Sequence, residues 1–188
     1  MISRRLLGKK AYDGDMNLTR LDRLLLINQY RILEALYPDE AVELSGLRKA
    51  LESGYKLHYE WNFTNVADNE MSEQDSEFVL EVLQMYRCLH DAYNNHKGNL
   101  GDVAPDKLRF PGFDANEESQ LYGYARYFLS DLDRYVELRG DSAIPDFNSH
   151  WPMRSTYQSM LSAWSESSDK YSLTVSDFQR IMGARNGL

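Results

Sequence analysis

Apolar residues recur every three or four positions along most of the chain, the period of an amphipathic α-helix. Leu21, Leu24, Leu25, Ile32, Leu33 and Leu36 mark one face of a first helix. Thr19 stands where an N-cap belongs, Asp22 is placed as its reciprocal partner, and Pro38 ends the run. A second helix is predicted from an Asp39 cap, with Leu44, Leu47 and Leu51 as its buried stripe and Gly54 as its stop. Residues 55–63 alternate aromatics as a strand would, but no partner run is in sight. They read as an irregular or short helical connection. Ser72 caps a long third helix whose seam is Val79, Val82, Tyr86, Leu89 and Tyr93.

A loop rich in Asn, Gly and Pro spans residues 95–113. Asp114 is predicted to cap a fourth helix, with Glu117 at the third position, running to about Leu138. A second loop runs from Gly140 to about Ser149. Helix five carries Met153, Tyr157, Met160, Leu161 and Trp164. Thr174 caps the last helix with Asp177 behind it, and Leu173 and Phe178 sit where a hydrophobic staple would clamp its entry. The expected fold class is all-α: a compact bundle of about six helices, with no run that qualifies as a strand and no internal repeat. Residues 1–16 read as a basic, disordered leader, with Met16 as an alternative start, and residues 17–188 as a single helical domain. Both loops exceed the usual connection length, which suits binding loops or mobile ones.

Composition narrows the function classes. A chain of 188 residues can bury a sizeable core without staples. Its one cysteine, Cys88, rules out an intrachain disulfide and reads as a buried, inert thiol. A cytoplasmic setting fits that usage. No apolar run approaches the ~18 residues of a membrane span. The net charge is -8, although residues 1–10 hold four bases and no acid. The main body is therefore acidic enough to repel a phosphate backbone, and nucleic-acid binding by it is not expected. Thirteen tyrosines suit boundaries that are dry on one side and wet on the other, so a homodimer is expected.

Candidate chemistry is sparse. His58, His90, His96 and His150 show no metal-ligand spacing, and no metal or cofactor is expected. There is no glycine-rich phosphate loop and no nucleophile elbow. The acidic stretch from Asp68 to Asp75 lacks the spacing and central glycine of a calcium loop; acids at a helix start explain it better. Helix four is more informative. Glu118, Tyr122 and Arg126 are four apart and share one ridge, the outer two ~12 Å apart along the axis. Gly123 suggests close approach of a neighbour. Asp114, Glu118, Tyr122, Tyr124 and Arg126 are the candidate ligand-binding residues, for a small anionic or planar ligand gripped by the guanidinium. The competing reading makes Arg126 half of an internal salt bridge and Asp114 simply a helix cap. No residue is assigned a catalytic role.

An ordered set of short motifs resembles the YfbU family: Asn28-Gln-Tyr30, Met85-Tyr86, Gly112-Phe-Asp-Ala115, Gly123-Tyr-x-Arg126, Pro152-Met153, Tyr157-Gln158, Met160-Leu161 and Trp164. The matches run from about Thr19 to Met182. The resemblance implies an all-helical bacterial or archaeal protein. It implies no activity, because that family is largely uncharacterised. Some members are joined to helix-turn-helix segments, which points to ligand sensing; this chain has no room for such an addition. The leader and the stretch Trp61-Asn-Phe-Thr-Asn65 depart from the family pattern. The expected function is a ligand-sensing or protein-interaction module without catalysis. The alternatives are a hydrolase-like enzyme built around Glu118 and Arg126, or a purely structural interaction protein.

Overall fold

The computed structural model describes residues 17–67, 69–100, 108–139 and 146–185. The leader, Asp68, residues 101–107 of the first predicted loop, 140–145 of the second and 186–188 lie outside the described residues. Among those described there is no strand, only an isolated bridge between Phe113 and Asn148. The fold is all-α. A first compact unit ends at Glu70 and a second begins at Met71.

The first unit is a helical hairpin of α1 (Arg20–Leu36) and α2 (Ala41–Ser53), followed by a 3-10 stretch at Lys56–Phe63. The predicted capping box is present: the Asp22 N–H donates to Thr19 Oγ1 at 3.1 Å, and the Thr19 N–H donates to Asp22 Oδ2 at 2.8 Å. Gly54 stops α2 in the left-handed region (φ 73°). Asp39, however, does not cap α2. Pro38 fixes its own φ and opens a 3-10 turn over Pro38–Glu40, which pushes the helix start to Ala41 with no side-chain cap.

The larger correction concerns which face of α1 is covered. Leu26, Ile27, Tyr30 and Leu33 are half-buried. On the same side Arg23 donates to the Leu51 carbonyl and Glu34 pairs with Arg48, so this is the face turned to α2. Of the six residues predicted to mark a face, only Leu33 lies there; Leu21, Leu24, Leu25, Ile32 and Leu36 are exposed. The helix is apolar on two sides, and a hairpin covers one.

The second unit contains α3 (Glu73–His96), α4 (Ser119–Arg126), α5 (Arg154–Ser165) and α6 (Val175–Arg185). Ser72 caps α3 through the Asp75 N–H, and Thr174 with Asp177 forms the box that opens α6. Leu173 and Phe178 are both buried, as a staple requires. The core is centred on α3, where Val79, Val82, Tyr86 and Leu89 are buried. An aromatic group surrounds Tyr86: Phe110 and Tyr157 each meet Tyr86 edge-on and each meet Phe113 edge-on, with ring centroids 5.2 to 5.9 Å apart. Burial pushes the Tyr86 phenol up to about 12 and also raises that of Tyr157 well above its ordinary value.

The fourth helix is much shorter than predicted. It ends at Arg126 and widens into a π turn over Tyr127–Asp131. Asp133 and Tyr135 then turn left-handed before a 3-10 turn at Val136–Leu138. The interruption is tolerated because its loose end is tied: Arg139 donates to the Leu129 carbonyl and pairs with Asp133. Gly123 also departs from expectation, since a Cβ built there meets nothing within 4 Å. It permits no close approach. Gly123→Ala is therefore expected to raise stability by about 0.5–1 kcal/mol, measured by chemical denaturation.

Candidate functional site

The residues singled out on either side of the helix-four start do come together, but as a joint. Gly112 has φ +90°, and the chain there runs against Phe147. The Phe113 N–H donates to the Phe147 carbonyl at 3.1 Å, and the Ser149 N–H donates to that of Phe113 at 3.2 Å. Phe147 and His150 are themselves left-handed, so both crossing segments are tightly bent. Beneath the crossing, the buried Tyr157 hydroxyl donates to the Gly112 carbonyl at 2.7 Å.

Asp114 lies directly after this crossing and is buried. Its Oδ1 accepts from the Asn116 and Glu117 N–H groups at 2.7 and 2.9 Å. It thus caps a turn, and the helix begins only at Ser119. The reciprocal acid is Glu118 and not Glu117: the Asp114 N–H donates to Glu118 Oε2 at 3.1 Å.

Glu118 does more than close that turn. Helix α5 has no capping side chain of its own, and Met153 occupies its N-cap position. The Met153 N–H lies 2.9 and 3.0 Å from the two Glu118 oxygens, and the Arg154 N–H donates to Oε1 at 2.7 Å. A single carboxylate therefore satisfies the start of α5 from a distant element, and its charge suits the positive end of that helix. Beside it Arg154 pairs with Asp75 on α3 and lies over the Phe78 ring at 5.0 Å. The Arg154 guanidinium, helped by Ser72, holds the Asp75 carboxyl below its usual range. An open depression of about 250 Å³ borders these groups and is lined by Asp75, Glu117, Ser119 and Arg154 among others.

The other candidates lie elsewhere. Arg126 is exposed; its Nη1 is 3.4 Å from the Tyr122 hydroxyl, and its guanidinium lies over that ring at 5.6 Å. Among the described residues no carboxylate pairs with it, so the internal salt bridge is not formed. Tyr124 is half-buried in an aromatic row with Tyr127 and Phe128. Asp114 and Glu118 share one turn, Tyr122 and Arg126 share one surface ridge, and Tyr124 joins neither. The sequence does not single out Arg154 or Asn148, whose Oδ1 accepts from the Ala115 and His150 N–H groups, and it shows Asp75 only as an acid at a helix start. The only local hint was the Asp146-Phe-Asn148 stretch, whose short polar side chains bond backbone two residues on.

No group of three or more His, Cys, Asp or Glu among the described residues is arranged to hold a metal ion. No described helix is long and apolar enough to cross a membrane. What the fold and the joint define is an all-α protein in which the Gly112-Phe-Asp-Ala115 motif is tied to residues 147–149 and Glu118, just after it, fastens the start of α5 at Met153. The YfbU domain matches residues 16–184. UPF0304 protein MJECS11 of Methanocaldococcus jannaschii is 30% identical over 170 residues, a match covering 89% of this chain and 99% of that protein. The chain belongs to the YfbU family.

Proposed function

We propose that this chain is a non-catalytic protein-interaction module whose docking surface is the first helical unit. One observation carries the reading. Among the described residues, the first unit holds eleven of the sixteen exposed large hydrophobic side chains but only three of the buried hydrophobic ones, Ala50, Leu51 and Tyr59. A unit that small, with so little core and so much apolar surface, is built to be covered. Leu57 is 84% exposed and Trp61 45%, on a 3-10 stretch that offers aromatic and aliphatic anchors of the kind found at interface centres. The geometry favours this over a small-ligand site on α4, because Asp114 and Glu118 are occupied by backbone N–H groups.

A photo-activatable amino acid placed at Leu57 or Trp61 tests the reading in living cells of the source organism. Protein adducts are expected from both positions and not from Leu132, an exposed leucine of the second unit. Absence of adducts at both positions, or equal yields from Leu132, would remove the proposal.

A further inference from the structure

We infer that the outward face of α1 pairs with the same face of a second copy of this chain, an assignment that rests on the interaction role proposed above. Leu21, Leu25, Asn28, Ile32 and Ala35 are spaced four, three, four and three apart, and all five are exposed. This is the seam of a coiled coil, in which side chains of one helix enter gaps between those of another. Leu24 and Leu36 broaden it and are also exposed. The seam lies opposite the face occupied by Leu26, Ile27, Tyr30 and Leu33, so α2 leaves it open. No residue of α1 is buried, although the helix is 17 residues long.

Three features select a second copy as the occupant. First, a seam of this spacing is complementary to another of the same spacing, as a twofold contact requires. Second, none of its seven positions carries a charge, so two chains of net charge -8 can meet there without opposing like charges at the contact. The neighbouring charges are turned into their own hairpin: Arg31 pairs with Glu52 and Glu34 with Arg48, while Asp22 serves the helix cap. Third, Asn28 is the one polar residue in the row and stands midway between Leu21 and Ala35. An amide both donates and accepts, so it is its own best partner across a twofold axis. A lone asparagine in an apolar seam fixes register and copy number. Two such hairpins joined along α1 form a four-helix arrangement, which gives each first unit the core it lacks alone.

Light scattering after size exclusion tests this on the full chain. The expected mass is twice 21.9 kDa, and the double substitution Leu25→Glu, Ile32→Glu should return it to 21.9 kDa. That change should weaken association roughly 100-fold or more, because it buries unpaired like charges. Leu57→Glu, off the seam, should leave the mass unchanged. Because charge on α1 could also unfold the hairpin, Asn28→Cys supplies a second measurement. At the midpoint of the seam it meets its own copy in a parallel or an antiparallel pairing, so mild oxidation should give a covalent dimer. Lys49→Cys on α2 should not. A mass of 21.9 kDa for the unsubstituted chain at every concentration overturns the inference, as does a dimer that neither responds to the double substitution nor forms the Asn28→Cys link. A monomer that still yields adducts at Leu57 and Trp61 would sink this pairing alone and leave the broader interaction role standing.

Discussion

Gly112→Ala is expected to destabilise the protein by at least about 3 kcal/mol, or to prevent folding outright. The added Cβ would lie 1.7 Å from the Phe147 carbonyl oxygen, 2.2 Å from its carbon and 2.8 Å from its Cα. All three are backbone atoms of a residue already held left-handed, so the obstacle is not the far end of a flexible side chain. The φ of +90° adds a conformational penalty that any L side chain would meet. Relief would require the two segments to part, which breaks the Phe113–Phe147 and Ser149–Phe113 hydrogen bonds and strands the buried Tyr157 hydroxyl. Denaturant titration followed by tryptophan fluorescence measures the loss. A cost below about 1 kcal/mol would show that the crossing yields easily to an added methyl group. Gly123→Ala, on the same stretch of chain, is the internal comparison with the opposite sign.

Glu118→Ala is the second large effect, at about 3 kcal/mol. Three backbone N–H groups, those of Asp114, Met153 and Arg154, donate to this carboxylate. Hydrogen bonds to a charged acceptor contribute about 1.5–3 kcal/mol each, and a donor left without one loses its hydration as well. The three effects overlap, since one side chain makes them all, and water would reach part of the vacated space. Glu118→Gln keeps one oxygen but turns an NH2 group toward donors and gives up the charge at the α5 start, so about half the loss is expected. Equilibrium unfolding gives the totals, and hydrogen exchange of the Met153 and Arg154 amides locates the damage. Unchanged exchange at those two amides in the alanine variant would mean that the carboxylate does not hold α5.

The features legible in the sequence are those whose partners lie within a few residues. Thr19 with Asp22, Thr174 with Asp177, Ser72 ahead of α3 and Gly54 after α2 each act locally, and each is found where the pattern put it. The all-helical class and the family followed from the same periodicity and motifs. Asp39 misled because Pro38 intervened with a turn of its own. Glu118 invited a functional reading because an acid, a tyrosine and an arginine four apart look like a site. Two of the three N–H groups that donate to this acid lie 35 and 36 residues away, which spacing cannot reveal. The apolar rows of α1 were visible, but periodicity shows that a face is greasy and not which neighbour hides it.

The Glu118 contact also bears on the order of folding. A helix is hardest to start at its first turn, where several backbone angles are fixed for little return. For α5 that turn is steadied by a residue the ribosome delivers some 35 positions earlier. Closing so long a loop carries an entropic cost, which slows folding that depends on it. Yet the acid and its turn emerge first during synthesis, so the template is already waiting when the segment that needs it leaves the exit tunnel.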